Sequence, residues 1–210
     1  MKSRKLFKVC ALLMLAVMSC LLFSGCGGQS EQKKFVITYL PNESTDKNAD
    51  ARKGMAGDLS KVLGMEVTEL VSNDYNAVIE AMRTGKADMA YFGPLSFCLA
   101  YERAGAEPIG MIAKDKDKKN ATYKSVLVTS SKNTDINSIQ DIKGKTMAFV
   151  DPNSTSGNLI PSAAIMKAFP GEKLSMDDLH TNGKFFQAVS FSGKHQAGLA
   201  ACLLYTSPSP

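Results

Sequence analysis

Cysteine and histidine are scarce in this sequence of 210 residues, which contains five cysteines and two histidines. Cys10, Cys20 and Cys26 lie within the first 26 residues, so only Cys98 and Cys202 belong to the rest of the chain. Two thiols without a His/Cys cluster at ligand spacing exclude a disulfide framework and do not support a structural zinc site. We therefore expect no metal and no cofactor, and we expect Cys98 to pack as a small buried side chain.

A surplus of basic residues is also missing from most of the chain. The formal net charge is +5, but four of the 25 Lys and Arg residues lie within the first eight positions. The other 21 Lys and Arg residues are balanced by 20 Asp and Glu residues. This balance leaves no surplus of positive charge for a basic surface that could neutralise a row of phosphates. This balance argues against a nucleic-acid partner. The 44% of hydrophobic residues is enough for a buried core, which excludes a disordered tail.

The first 25 residues have the pattern of a secretion signal. A basic start (MKSRKLFK) precedes an apolar run at residues 9–23, which is too short for a typical membrane-spanning helix. Small residues then lead into Cys26, which resembles the lipoprotein box, where cleavage precedes a cysteine that carries a lipid anchor. We expect a signal peptide at residues 1–25, lipidation of Cys26, a linker at 26–34 and a location outside the cell membrane. An uncleaved anchor helix is the alternative.

Strands and helices are predicted to alternate along the rest of the chain. Runs of β-branched and aromatic residues predict strands at 35–40, 65–71, 87–92, 123–129, 146–150 and 189–191. Apolar residues at helical spacing and capping residues predict helices at 48–63, 75–84, 95–103 and 159–169, and another that begins near 193. This alternation is typical of an α/β fold with a largely parallel sheet. We expect a first lobe at 35–121 and a second at 122–200.

The second half repeats the first half without completing it. In the first half, a strand, a polar turn and a helix lead into GKADMAYFGP. In the second half, VSFSGKHQAGLA is followed by ACLLYTSPSP, which has no glycine turn and no returning strand. We therefore expect a truncated second lobe with an exposed sheet edge, and a non-native tail at residues 201–210. A naturally short variant is the alternative.

Three predicted helix starts carry small or hydroxyl-bearing residues, namely YFGPLS at 91–96, DPNSTSG at 151–157 and SFSGKH at 190–195. A helix N-terminus presents unpaired N–H groups that attract anions without a cationic side chain. Ser154, Thr155 and Ser156 add three hydroxyl groups, which suit a tetrahedral oxyanion. The same residues are ordinary cap and turn residues, so both interpretations stay open, as does a purely capping role for His195.

Several motifs, in this order, resemble the substrate-binding proteins of phosphate, phosphite and phosphonate ABC transporters. They are YLPNES, YNAVIEAMRTGKADMAYFGPLSF, DPNSTSGNLIPSAA and FSGKHQAGLA. The resemblance implies a two-lobed clamp of the periplasmic-binding-protein type (type II), a ligand cleft between the lobes, a lipid anchor and a permease subunit as partner. It also implies a set of residues that grip the ligand oxygens: Tyr91, Ser154, Thr155, Ser156 and His195.

The same resemblance implies that Tyr39 and Asn42, close to the end of the first strand, line the cleft. The function that it implies is the capture of a small phosphorus oxyanion outside the membrane and its delivery to a permease, without enzymatic activity. Two alternatives remain. A sensing module of a signalling receptor has the same clamp architecture. A hydrolase would use Ser154 or Ser156 as nucleophile and His195 as base, although the G-x-S-x-G motif is missing.

Overall fold

Two parallel sheets are present in the computed structural model, which describes residues 34–113 and 115–205. The first sheet has the strand order β2-β1-β3, with β1 at Phe35–Tyr39, β2 at Val67–Leu70 and β3 at Met89–Tyr91. The second sheet pairs β4 (Thr146–Phe149) with β5 (Ala188–Phe191). Every strand pair in the described part of the chain is parallel, with Ile37 of β1 opposite both Glu69 and Met89. The predicted α/β class with parallel strands is therefore confirmed.

The described part of the chain contains six α-helices. They are α1 (Ala49–Leu63), α2 (Tyr75–Arg83), α3 (Pro94–Ala104), α4 (Ile160–Ala168), α5 (Met176–His180) and α6 (His195–Tyr205). Short 3-10 turns lie at Asp46–Asn48, Lys118–Asn120, Ile139–Ile142 and Pro170–Glu172. The predicted helices correspond to α1, α2, α3, α4 and α6 with bounds shifted by one or two residues, and α5 is an addition.

Helix α2 shows how local sequence signals set its ends. The Asp74 carboxylate accepts the N–H of Ala77 at 2.7 Å, which satisfies one of the unpaired donors of the first turn. After the helix ends, Gly85 adopts a φ of +68°, a conformation that glycine reaches without strain. Between these signals Val78 and Ile79 are fully buried, and they hold the helix against the first half of the chain.

The carboxyl ends of β1 and β4 meet in one apolar cluster. Val150, directly after β4, packs with Leu40, directly after β1, and with Tyr75 and Val78 of α2. Separate clusters stabilise each half: Ile79, Ala100 and Ala106 in the first, and Phe149, Ile165, Leu179, Phe185 and Phe186 in the second. The loops that follow the strands of both sheets are therefore brought together. In parallel α/β sheets this is the usual side for ligands.

The strand predicted at 123–129 is wrong. In the described part of the chain no strand pairs with this segment, and Val126 and Val128 are 70% and 58% exposed. A strand is stabilised by its hydrogen-bonded neighbour, so β-branched content alone does not create one.

The predicted burial of Cys98 is also wrong, because the structure places its side chain in an exposed position. The buried residues of α3 are Ser96 and Ala100, which lie one helical turn apart. Cys98 lies halfway between them along the chain and therefore on the opposite face of the helix.

Some predictions fall on residues that the structure does not describe. The signal peptide at 1–25, Cys26 and residues 27–33 of the linker lie outside the described residues. Residues 201–205 continue α6, and the predicted non-native origin of 201–210 stays a prediction. Residues from Lys34 onward cluster as one compact unit, and the predicted division into lobes between 121 and 122 also stays a prediction. Among the described helices, none combines the length and the apolar character needed to cross a bilayer.

Candidate functional site

The candidate site lies where the loop after β4 meets the N-terminus of α3. The Oγ1 atom of Thr155 accepts the backbone N–H of Leu95 at 2.8 Å. A Cβ at Gly93, which precedes α3, would lie 3.4 Å from the same oxygen, at ordinary van der Waals contact. One hydrogen bond thus joins residues 154–157, which we call the STSG loop, to the first half of the chain.

The shape of the STSG loop is fixed by its own hydrogen bonds. The Oγ of Ser154 accepts the N–H of Gly157 at 3.1 Å, and the carbonyl of Gly157 accepts the N–H of Val150 at 3.0 Å. Ser154 is 2% exposed, so its hydroxyl lies inside the protein. The capping interpretation is confirmed for Ser154, and the π-helical turn Thr155–Leu159 then leads into α4.

Ser156 and His195 line the same cavity of about 750 Å³. The carbonyl of Ser156 accepts the hydroxyl of Ser125 at 2.7 Å, which ties the STSG loop to the segment before 126–129. His195 is the first residue of α6, and burial lowers the pKa of its imidazole below the ordinary value of 6.5, against a smaller opposing effect of Glu43. The lowered pKa favours the neutral imidazole of His195, which can donate one hydrogen bond.

Tyr75 and Asn42 form a buried link beside the STSG loop. The Tyr75 hydroxyl donates to Oδ1 of Asn42 at 3.1 Å, and Tyr75 is 3% exposed. Burial raises the pKa of the Tyr75 phenol, and its hydrogen bond with Ser154 opposes that effect. The backbone N–H of Tyr75 also hydrogen-bonds Asp151, whose carboxyl pKa is raised by burial. Tyr75 therefore contacts both the loop after β1 and the loop after β4.

The sequence analysis did not single out Tyr75. The available signal was its position at the first residue of α2, directly after the N-cap residue Asp74, which matches the other helix starts. In the sequence, the aromatic ring of Tyr75 is explained by the apolar face of the helix. The hydrogen bond of its hydroxyl was therefore not predicted.

Tyr91 ends β3 and is partly buried. Burial raises the pKa of its phenol, and the nearby Glu43 carboxylate and Tyr123 hydroxyl add to this effect. Glu43 also acts electrostatically on Tyr75 and His195. The side chains of Tyr75, Tyr91 and His195 therefore all lie within the electrostatic range of the same carboxylate. Glu43 and Tyr123 were not among the predicted site residues.

The structure orients Tyr39 toward α1. Its hydroxyl donates to Sδ of Met55 at 3.7 Å, and the guanidinium of Arg52 lies 5.7 Å from its ring centroid. These partners belong to α1 and not to the STSG loop. Asn42, the other residue predicted to line the cleft, contacts Tyr75 and so lies next to Ser154.

Neutral hydrogen-bonding groups dominate this region. Hydroxyls of Thr155, Ser156 and Tyr91 and the imidazole of His195 can donate to an acceptor, and the Leu95 amide at the start of α3 already donates to Thr155. Within residues 34–113 and 115–205, no group of three or more His, Cys, Asp or Glu side chains could hold a metal ion. Such donors match an anion that accepts several hydrogen bonds.

A family model described as "ABC transporter, phosphonate, periplasmic substrate-binding protein" matches residues 37–204. The chain belongs to this family. The resemblance stated from the motifs is therefore confirmed, and the family is one of substrate-binding proteins for transport.

Two curated family members show how much of the fold the chain contains. It is 31% identical over 157 residues to the phosphate-import protein PhnD of Mycolicibacterium smegmatis, which covers 70% of this chain and 49% of that protein. It is also 31% identical over 145 residues to the phosphonates-binding periplasmic protein of Escherichia coli, covering 67% of this chain and 42% of that protein. The chain thus spans about half the length of these relatives.

Two solved structures of this family share the fold. The binding protein component of an ABC phosphonate transporter from Pseudomonas aeruginosa has a TM-score of 0.65 at 24% identity, covering 83% of this chain and 55% of that one. PhnD1 from Prochlorococcus marinus in complex with methylphosphonate has a TM-score of 0.54 at 23% identity, covering 81% and 60%. The predicted periplasmic-binding-protein fold is confirmed, with only part of it present in this chain.

Proposed function

We propose that this chain binds a small phosphorus oxyanion as the solute-binding component of an ABC importer. The observation that carries the proposal is the hydrogen bond between Thr155 Oγ1 and Leu95 N–H, in a chain that belongs to the phosphonate-binding family. It brings a hydroxyl-rich loop of the second half onto a helix N-terminus of the first half. The relatives are named for phosphate import and phosphonate binding, which fits an oxyanion with tetrahedral phosphorus.

The ligand oxygens would be held by neutral donors. Thr155 accepts from Leu95, so its own hydroxyl hydrogen is available to a ligand oxygen. Ser156 and His195 line the cavity of about 750 Å³, and Tyr91 is the last residue of β3. A hydrogen bond to a charged acceptor contributes roughly 1.5–3 kcal/mol. Five or six such bonds are enough for a micromolar affinity, which corresponds to about 8 kcal/mol, after the cost of ordering the groups.

Ligand binding would favour a closed arrangement of the two halves. Donors come from α3 and Tyr91 in the first half, and from the STSG loop and His195 in the second half. An anion that contacts both sets binds the closed form more tightly than an open one, so it shifts the population toward closure. A closed, loaded form is what a permease subunit of the importer would receive.

The place of action that we propose is the outer face of the cell membrane. Residues 1–25 have the pattern of a signal peptide, and Cys26 follows small residues as in lipoproteins. Export fits the periplasmic relative from Escherichia coli. Lipidation of Cys26 would hold the protein close to its permease.

Transport is better supported than the hydrolase alternative. Ser154 is 2% exposed and its hydroxyl is engaged with Gly157 and Tyr75, so it is poorly placed for attack on a substrate. The family model describes substrate-binding proteins and not hydrolases. The sensing-module alternative shares the clamp and would bind the same class of anion.

Isothermal titration calorimetry on the full chain tests the proposal. We expect heat of binding with methylphosphonate, phosphite or phosphate. We also expect Thr155→Val to weaken that binding at least about tenfold, since it removes a hydrogen bond to a charged acceptor. Thr134→Val, at an exposed threonine, is the matched control and should leave the affinity unchanged. Absence of binding to all three anions by a folded chain, or equal affinity for sulfate, would contradict the proposal.

A further inference from the structure

The STSG loop is closed at its base by the side chain of Asn158. Its Nδ2 atom donates to the carbonyl of Pro152 at 2.9 Å. Pro152 lies two residues before the loop, and Asn158 directly follows it. Asn158 is 2% exposed, so a hydrogen bond lost there would not be replaced by one to bulk solvent. The path of the loop between these two residues therefore depends on the orientation of one amide group.

The partners of the Asn158 amide determine which way it points. A carbonyl only accepts hydrogen bonds, so the NH₂ group must face Pro152, and Oδ1 must face the other side. There Oδ1 lies 2.8 Å from Nε2 of His180 and accepts the hydroxyl of Ser162 at 3.4 Å. Two acceptors cannot bond to each other, so the proton of this contact belongs to Nε2 of His180.

The His180 ring is held between the ends of the two strands of the second sheet. His180 is the last residue of α5, and its ring centroid lies 5.1 Å from that of Phe149 and 5.1 Å from that of Phe191, edge to face in both cases. Leu179, which is fully buried, anchors α5 in the same apolar cluster as Phe149. Burial lowers the pKa of the His180 imidazole, against a smaller opposing effect of Asp177, so the neutral ring is favoured.

We infer that His180 is a positioning residue for oxyanion binding, because its Nε2–H group holds the Asn158 amide that fixes the path of the STSG loop. This inference rests on the proposed function. His180 does not line the cavity of about 750 Å³ that Ser156 borders, so it acts on a ligand through Asn158. Its donor keeps Asn158 bonded to Pro152, and the loop then presents the hydroxyls of Thr155 and Ser156.

Two substitutions at His180 isolate the role of its donor. The side-chain nitrogen of Gln is as many bonds from Cα as Nε2 of His, whereas that of Asn is one bond closer. His180→Gln and His180→Asn both lose the ring packing, and they differ in whether a donor reaches Asn158.

Isothermal titration calorimetry compares the two variants with the natural chain. The probe is whichever of methylphosphonate, phosphite and phosphate the natural chain binds most tightly. We expect His180→Asn to weaken binding about tenfold or more, and His180→Gln to stay within about threefold of the natural chain. Equal losses in the two variants would overturn the inference.

Leu179→Val is the control for a general loss of stability in α5. It removes a buried methylene group from the apolar cluster and retains the hydrogen bond between His180 and Asn158. We expect urea denaturation to show a less stable chain and calorimetry to show an unchanged affinity. If the affinity falls as much as in His180→Asn, the stability of α5 is the cause and the inference is wrong.

NMR tests the positioning role without any anion. Long-range ¹H–¹⁵N spectra of the natural chain show which ring nitrogen of His180 carries the proton, and we expect Nε2. The amide proton of Leu95 reports the hydrogen bond to Thr155. We expect its chemical shift to change in His180→Asn and to be retained in His180→Gln.

These NMR results keep the inference separate from the proposed function. A folded chain that binds none of the three anions contradicts the proposed function. A proton on Nδ1 of neutral His180 overturns the inference even if His180→Asn does not fold, since Nε2 then has no hydrogen to donate to Asn158. A Leu95 signal that is unchanged in a folded His180→Asn chain overturns it as well.

Discussion

At the scale of single residues, Gly157 determines the shape of the loop that carries Ser154, Thr155 and Ser156. A Cβ at this position would lie 2.3 Å from Cγ2 of Val150 and 2.9 Å from Oγ of Ser154. Val150 belongs to the apolar cluster that joins the two halves, so it has little room to move. No side chain fits at Gly157 without displacing either the loop or the cluster.

We predict that Gly157→Ala lowers the free energy of unfolding by about 2 kcal/mol or more, because it overpacks this contact. Urea denaturation measures the change. Gly171→Ala is the matched control, since no atom lies within 4 Å of a Cβ at that exposed position. An equal effect of the two substitutions would show that Val150 yields easily and that the loop is not sterically fixed.

His195 gives the stability a dependence on pH. Burial lowers the pKa of its imidazole in the folded protein, so below the ordinary value of 6.5 the unfolded chain binds a proton that the folded chain does not. The contribution of neutral His195 is fully present above pH 6.5 and is lost as the pH falls through the folded pKa.

We predict that the free energy of unfolding falls more steeply below pH 6.5 in the natural chain than in His195→Gln. Both chains retain His180 and Asp151, whose pKa values burial also shifts, so those effects cancel in the difference. Chemical denaturation at several pH values from 5 to 8 provides the comparison. Parallel curves would mean that the His195 imidazole is well solvated.

The sequence was sufficient to locate Ser154, Thr155 and Ser156 at a helix start but not to assign a task to each hydroxyl. That assignment depends on partners that are distant in the chain, such as Leu95 for Thr155 and Tyr75 for Ser154. The orientation of Tyr39 toward Met55 depends in the same way on how α1 packs. Tertiary contacts of this kind leave no local pattern in a single sequence.

At the scale of elements, local sequence signals correctly predicted the strands whose hydrogen-bonded neighbours are present, and most of the helices. β1, β2 and β3 form in the predicted regions, since each has a hydrogen-bonded neighbour. The segment 123–129 has comparable β-branched content and no neighbouring strand among the described residues, so the same signal failed there. Strand formation is a property of a pair, whereas the sequence pattern describes one member.

Helix α5 shows the opposite error. It has five residues, too few for apolar periodicity to be recognised, and it was not predicted. The Ser175 hydroxyl accepts the N–H of Asp178 at 3.2 Å, and the Asp178 carboxylate accepts the N–H of Ser175 at 2.9 Å. This capping box was readable in the sequence as Ser175 followed three residues later by an acidic residue.

At the scale of the whole molecule, apolar side chains are exposed in the segments that follow the first half. Ile109, Met111 and Ile112 are 82%, 65% and 72% exposed, and Val126 and Val128 further along the chain are exposed as well. Clustered exposed apolar residues of this kind mark sites of association. The described chain therefore has surface that is suited to burial against further polypeptide.

We predict that the folded chain binds the dye ANS at neutral pH and associates at high concentration. Replacing Ile109 and Ile112 together by Thr should reduce both effects with little loss of stability, because these side chains bury little area. Dye fluorescence and sedimentation velocity measure the two effects. If the chain stays monomeric and does not increase the fluorescence of ANS, other residues must cover these isoleucines.

The bond from Leu95 to Thr155 has a consequence for ligand selection. In the proposed function, an oxyanion oxygen that approaches the first turn of α3 would meet a Leu95 amide that already donates to the Thr155 hydroxyl, so it would have to displace that hydroxyl. Only acceptors stronger than a hydroxyl oxygen gain from such an exchange, and ionised phosphorus oxygens are of that kind. An ionised phosphorus oxyanion would therefore gain more from the exchange at this amide than a fully esterified, uncharged phosphonate.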